Sequence, residues 1–274
     1  MDSIVLLGTG CPSPSHERFG PSTLVKSGNQ NILIDAGSGV TQRLSEHGLK
    51  PAAIDIILIT HLHSDHIVDL YQLYISGWHS GRTKPFKIVG PRGIEKFFNK
   101  TMEAYDDELS LRIEWEKRPN NAGLEIEIIE INEEFTFDDQ DIKIKSIEVQ
   151  HQPVEPAYGY EFLVKNKKIT YSGDTKYSKN LENASKNAEY LIHEVFVDLN
   201  FDDKRMTQET LKNVKEYHST PEDVGKLAQA ANVKNLVLNH FVPPVFDEEG
   251  LRNEISKYYD GKIIVGSDLD VFNL

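Results

Sequence analysis

Residues 54–66 read IDIILITHLHSDH: a nearly unbroken apolar run opens directly onto Thr60-His61-Leu62-His63-Ser64-Asp65-His66. A short apolar run of this kind reads as a buried strand. The end of such a strand presents side chains rigidly to whatever cleft lies beyond it. His61 and His63 are two positions apart, so in extended chain they point the same way. Asp65 and His66 fall where the chain turns into IVDLYQLYISGW, whose Ile67, Leu70, Tyr71 and Tyr74 recur at helical spacing. Neutral imidazole and carboxylate are the donors that zinc and similar divalent ions take, with Zn–N of about 2.0–2.1 Å. Donors facing two ways suit two metal ions better than one.

Two ions need further donors, and other apolar stretches end in them. His151 closes the alternating run KIKSIEVQ, Asp174 follows ITYSG, and His240 ends NLVLN. The expectation is that all three converge with the first motif on one rim. His16, His47, His79 and His193 read as ordinary histidines. His193 adjoins Glu194, and strand alternation allows at most one of that pair to face a cleft. The GTG at residues 8–10 opens no GxGxxG turn and is followed by Pro12 and Pro14, so it is not a dinucleotide fingerprint. Asp35 in ILIDAG reads as a buried anchor or a turn former.

Along the rest of the chain, SIVLLGTG reads as a strand and STLVKSGNQNILIDAG as a hairpin turning at Ser27–Gln30. TQRLSEHGL and GIEKFFNKTMEAY read as helices, with FKIVGPRG a strand between them. The stretch EIEIIEINEEFTFDDQDIKIKSIEVQH alternates apolar and charged residues, as half-exposed antiparallel strands do. YGYEFLVKNKKITYSGD is a second hairpin, turning at Lys165-Asn166-Lys167. The strand and helix patterns then alternate: AEYLIHEVF, TPEDVGKLAQAA, VKNLVLNHF, EEGLRNEISKYY, KIIVGSD. Two groups of strands with helices after each predict an α+β fold, a four-layer αββα sandwich, in a single domain over 1–274.

The bulk numbers bound the rest. The 274 residues are 39% hydrophobic, with 12 Phe and 11 Tyr, which is globular rather than disordered. No apolar run approaches the roughly 20 residues that span a bilayer. MDSIVLLGTG lacks the basic start and apolar length of a signal peptide, and the single Cys11 excludes an internal disulfide. A cytoplasmic protein with no membrane partner is expected. Net charge is −13, which argues against a polyanion unless a local patch reverses the field. Arg82, Lys84, Lys87 and Arg92 are candidates for such a patch, or for a plain solvated face.

THLHSDH resembles the HxHxDH signature of the metallo-β-lactamase-fold hydrolases. His151, Asp174 in SGDT, and His240 stand in the order that superfamily uses, and the likeness runs from LLGTGCPSP to LNHF. HSTPEDVGKLAQAANVKNLVLNHF is similar to the closing region of tRNase Z and its arylsulfatase-like relatives. The resemblance implies one metal on His61, His63 and His151 and a second on Asp65, His66 and His240, with Asp174 bridging. Both ions would be zinc, with manganese or iron as alternatives. It also implies the αββα fold, and dimers, which are common in that family.

Two such ions share a water and lower its pKa from ~15.7 towards ~7. Asp65 is placed to orient or deprotonate that water. His218 stands at a helix entrance, before Thr220 as N-cap and Pro221 at the first helical position. The likeness to tRNase Z implies that it donates a hydrogen bond to a developing oxyanion or a proton to a leaving oxygen. The expected activity is metal-hydroxide hydrolysis of a small-molecule phosphodiester or sulfate ester. A β-lactamase or lactonase acting on carbon–nitrogen or carboxylic-ester bonds is the alternative, and a metal-binding protein without catalysis is a third reading. tRNA is not expected as a partner: one hairpin fills the interval from His151 to Asp174, where tRNase Z carries a long arm.

Overall fold

The computed structural model describes residues 1–198 and 207–274. Its chain runs β1 (Ser3–Gly8), β2 (Ser22–Ser27), β3 (Gln30–Ile34), α1 (Val40–Glu46), β4 (Ile56–Leu58), α2 (Ser64–Ile67), α3 (Leu70–His79) and β5 (Phe86–Pro91). Helices α4 (Ile94–Ala104) and α5 (Asp106–Glu116) lead to β6 (Ile126–Ile131), β7 (Thr136–Asp138), β8 (Ile142–Val149), β9 (Ala157–Val164) and β10 (Lys167–Tyr171). There follow α6 (Lys179–Ala184), β11 (Tyr190–Phe196), α7 (Gln208–Lys215), α8 (Pro221–Ala230), β12 (Asn235–Val242), α9 (Glu248–Ile255), β13 (Lys262–Val265) and β14 (Val271–Asn273).

The strands form two seven-stranded sheets, ordered β14-β1-β2-β3-β4-β5-β6 and β13-β12-β11-β10-β9-β8-β7. Each is antiparallel on one side and parallel on the other, with β3 to β6 and β10 to β13 as the parallel runs. Strand alternation explains the layers. Ile4 and Leu6 of β1 face the second sheet, in a core with Ile144, Tyr160, Phe162 and Ile192. Their neighbours Val5 and Leu7 face the other way, onto Val40, Leu44, Leu73, Tyr74 and Phe98 of α1, α3 and α4. On the far side Leu191, Leu236 and Leu238 pack on Leu181, Val224, Leu227 and Leu251 of α6, α8 and α9. The result is αββα. Burying one such aliphatic side chain stabilises by about 1.5–3 kcal/mol.

Both hairpins form where expected. Ser27 pairs with Gln30 across Gly28-Asn29, and Val164 with Lys167 across Lys165-Asn166. Lys165 and Asn166 both have positive φ, 47° and 68°, the conformation that a two-residue turn between right-twisted strands requires. Thr220 caps α8 by accepting from the Asp223 amide, with Pro221 at its first turn.

Two expectations change. β6 is not part of an antiparallel set but pairs in parallel with β5 at the edge of the first sheet, which is why its alternation is real yet misleading. The helix α5 has no counterpart in the sequence reading. Its Leu109, Leu111, Ile113 and Trp115 recur every second residue, which masks the helical period: Leu109 and Ile113, four apart, pack on the core, while Leu111 and Trp115 stay exposed. Glu108, Arg112 and Glu116 support it at i,i+4 spacing.

β4, β8 and β10 end at one rim of the sandwich and their candidate residues follow those ends, while His240 lies within the last residues of β12 at the same rim. Among the described residues no helix is long and apolar enough to cross a membrane.

Candidate metal centre

Beyond Leu58 the backbone stays tied for two residues: the Ile59 amide donates to the Val89 carbonyl, and the Thr60 amide to Asp35 Oδ1 at 2.8 Å. His61 is therefore fixed as it leaves the sheet, and it is fully buried. Its Nε2 stands 2.9 Å from Nδ1 of His63, which in turn stands 3.1 Å from Nε2 of His151. Beside this trio, His66 Nε2 lies 3.2 Å from His240 Nε2 and 3.5 Å from Asp65 Oδ2. His240 Nε2 lies 3.4 Å from the same Asp65 oxygen.

Asp174 stands between the groups. Its Oδ2 is 3.4 Å from Nε2 of both His66 and His240, 3.8 Å from that of His61 and 3.9 Å from that of His151. The structure thus brings all seven sequence-predicted side chains together, in two groups: His61, His63, His151 and Asp174, then Asp65, His66 and His240. Within each group the donor atoms lie within 4.8 Å of one another.

The donor set fits divalent metal ions. Imidazole nitrogens turned on one another in a buried space cannot all be satisfied by sharing protons. Donors bound tetrahedrally at about 2.05 Å stand roughly 3.4 Å apart, which is the spacing found here.

Three of the opposite ring nitrogens are held from behind, as metal-binding imidazoles need, whereas His240 Nδ1 is buried without a hydrogen-bond partner among the described residues. His61 Nδ1 meets Thr60 Oγ1 at 3.0 Å, His66 Nδ1 meets Asp35 Oδ2 at 2.8 Å, and His151 Nδ1 donates to the Tyr217 carbonyl at 2.8 Å. Asp35 is thus the buried anchor that ILIDAG suggested. His240 reaches the site by a β-bulge: Glu194 pairs with Asn239 and Val195 with Phe241, leaving His240 between them at φ 42°. The bulge re-aims one side chain at a cost in backbone strain.

The two groups differ electrostatically. Burial pushes His61, His63 and His151 below the ordinary histidine range, and Asp174 only partly offsets it. Burial acts on His66 and His240 as well, but Asp174 and Asp65 outweigh it, with Asp35 adding to the effect at His66. His66 is raised well above the ordinary value and His240 to about 9. Asp174 is held well below the usual carboxylate range, because His240, His66 and His61 outweigh its own burial.

His218 is buried against this cluster, its ring centroid 5.2 Å from that of His151 and 6.0 Å from that of His240. Its Nδ1 lies 2.9 Å from Glu194 Oε1, which also accepts from the Thr175 amide. Glu194 is the functional-looking residue that sequence reasoning passed over. The clue was its place beside His193, of which only one could face the cleft. His193 turns away and donates to the Glu194 carbonyl.

The four basic candidates do not form a patch. The Arg82 guanidinium is buried and donates to the Gly123 and Tyr74 carbonyls, locking 122–124 onto α3. Lys84 pairs with Asp55 and Lys87 with Glu127. Arg92 lines a separate groove with Glu133, Glu148 and Glu155.

Residues 3–240 match the family described as anti-Pycsar protein Apyc1. The ribonuclease Z of Mycobacterium marinum is 32% identical over 277 residues, covering 98% of this chain and 97% of the relative. That of Mycobacterium bovis is 33% identical over 279 residues, with the same coverage. Among solved structures, the metallo-β-lactamase fold protein YhfI from Bacillus subtilis superposes with a TM-score of 0.76 at 20% identity, over 99% of this chain and 98% of that one. Human tRNase Z, short form, gives 0.73 at 24% identity with the same coverage.

These similarities correct the expected partner. A small-molecule ester with tRNA excluded does not stand, because relatives named ribonuclease Z align over nearly their whole length. They have no room for a long additional arm either, so its absence does not set this chain apart. Net charge misled for a physical reason: it sums the whole surface, whereas a phosphate meets the local field of one cleft, here lined by donors that fit cations.

Proposed function

The chain belongs to the family described as anti-Pycsar protein Apyc1 and, like its ribonuclease Z relatives, is a metal-dependent hydrolase of the metallo-β-lactamase fold; from that premise we propose that it cleaves phosphodiester bonds of RNA, with tRNA as the first substrate class. The observation that carries the reading is the end-to-end similarity to proteins named ribonuclease Z. The His218–Glu194 pair beside the donor set supports it, because a departing ribose oxygen needs an acid.

His61, His63 and His151 with Asp174 would hold one divalent cation, and Asp65, His66 and His240 the second, with Asp174 Oδ2 in reach of both groups. Zinc suits a donor set dominated by imidazole, and manganese or iron would accept it. When bound, such a pair polarises a phosphoryl oxygen and brings water towards ionisation near neutral pH.

The remaining work falls to side chains. Asp65, which lines the cavity beside His240, orients the attacking water and takes its proton. His218 has Nδ1 held by Glu194, so Nε2 is the nitrogen free to serve the substrate. As water's oxygen bonds to phosphorus and the bond to the ribose oxygen breaks, His218 Nε2 gives that oxygen its proton. Glu194 balances the imidazolium while it carries the proton.

The test is zinc-loaded protein against a precursor tRNA, an unfolded RNA of equal length, bis(p-nitrophenyl) phosphate, a β-lactam and a lactone. Both the precursor and the nitrophenyl diester should be cut. Turnover confined to the β-lactam or lactone would sink the reading. His218→Ala should slow RNA cleavage about 10²–10⁴-fold with bound metal unchanged, whereas loss of metal would show that His218 acts as a ligand.

A further inference from the structure

The cavity over the donor set holds about 280 Å³, and only part of its lining is accounted for by the reaction. Cys11, Ser13 and Ser64 add to that lining, and the remainder is apolar: Pro12, Val214, Tyr217 and Val242. Tyr217 is the one aromatic among them, half-buried in the link between α7 and α8. Its ring centroid lies 4.8 Å from that of His218, 5.1 Å from His151 and 6.4 Å from His63. The Tyr217 carbonyl accepts the His151 Nδ1 proton, so its backbone is pinned to a candidate metal ligand. Its ring does nothing for that contact. Among the described residues its hydroxyl has no hydrogen-bond partner.

A flat ring held at the mouth of a phosphodiester site, beside the acid that serves the leaving oxygen, is where a base one ribose away would lie. Bases stack on aromatic rings with little regard to sequence. We propose that the Tyr217 ring is the platform for the nucleobase adjoining the scissile phosphodiester, positioning the substrate without taking part in bond cleavage. This rests on the phosphodiesterase reading and extends it to one side of the scissile bond. Val214 and Val242 complete the apolar wall, and the platform has no hydrogen-bonding preference for one base over another.

Equilibrium binding to the zinc-loaded protein tests this apart from turnover, by titration with adenosine 5′-monophosphate and with inorganic phosphate. Wild-type protein should bind the nucleotide about tenfold or more tighter than phosphate. Tyr217→Phe should keep that preference. Tyr217→Ala should erase it while leaving phosphate affinity and metal content as they were. Tyr217→Leu, which fills the space without a flat face, makes the same test should the alanine variant fold poorly. Three results would overturn the platform: no nucleotide preference in wild type, equal loss of both ligands in Tyr217→Ala, or a loss in Tyr217→Phe as large as in Tyr217→Ala. Protein that cuts RNA yet binds both ligands alike refutes the platform alone. Protein that prefers the nucleotide but leaves RNA intact refutes the proposed substrate alone.

Discussion

The donor set has two halves that share one oxygen and differ in everything else. His61, His63 and His151 meet as three imidazoles with Asp174 as their one carboxylate, and burial holds all three below the ordinary histidine range. Asp65, His66 and His240 meet as a mixed group, and the carboxylates keep protons on both imidazoles. A cation approaching the first half finds lone pairs waiting. A cation approaching the second must displace protons first, so its affinity falls more steeply with acid. The proposed pair of cations would thereby load differently through the placement of carboxylates alone.

Asp174 is the place to break that comparison, because its Oδ2 is the atom both halves touch. Asp174→Ala should reduce phosphodiester hydrolysis at least about a thousandfold, since it disturbs the charge stabilisation and the water of the whole site. Metal analysis of the same variant sharpens the point. The three-imidazole half should retain its ion better than the mixed half, which would keep only one carboxylate. Full activity with full metal content would show that Asp174 is a bystander.

Each half takes two residues from the first motif and a histidine from further along the chain, and these two sources were unequally legible in the sequence. The first motif packs His61, His63, Asp65 and His66 onto one strand end, so backbone spacing alone announces shared chemistry. His151 and Asp174 follow the ends of β8 and β10, His240 lies within β12, and each would pass as ordinary in isolation. Their order gave them meaning, and parallel strand ends at one rim gave them proximity. Glu194 was hidden because its partner His218 arrives from the end of a different element, through a contact that no local pattern encodes. The αββα layering could be read from strand groups, whereas β6 and α5 could not. An edge strand alternates whether its neighbour is parallel or antiparallel. A helix with apolar residues every second position hides its short buried face, here Leu109 and Ile113, among exposed Leu111 and Trp115.

Asp35 supplies a smaller and more selective test. It holds His66 Nδ1 while also accepting from Thr60, and the three-imidazole half has no comparable carboxylate behind it. Asp35→Asn should therefore weaken metal binding about 10–100-fold at the mixed half. Competition with a chelator should show one ion leaving early and the other at its wild-type rate. Simultaneous loss of both ions would mean that Asp35 supports the rim as a whole, through the Thr60 amide.

The gentlest prediction concerns the metal-free protein, where protons stand in for the second ion. His240 is raised from 6.5 to about 9 by Asp174 and Asp65 acting against burial, and His66 is raised in the same sense. A raised histidine stabilises the fold fully below its unfolded value and loses that contribution as pH climbs through the folded one. The metal-free protein should therefore melt progressively lower between about pH 6.5 and 9, by on the order of 5 °C. Loaded protein should lack this slope, because the same nitrogens then face cations instead of protons. The gap between loaded and metal-free melting temperatures should widen as pH rises. His240→Gln, which removes the strongest quantified proton site, should flatten the metal-free curve in that window. An unchanged slope in that variant would place the titration elsewhere and dissolve the distinction between the halves.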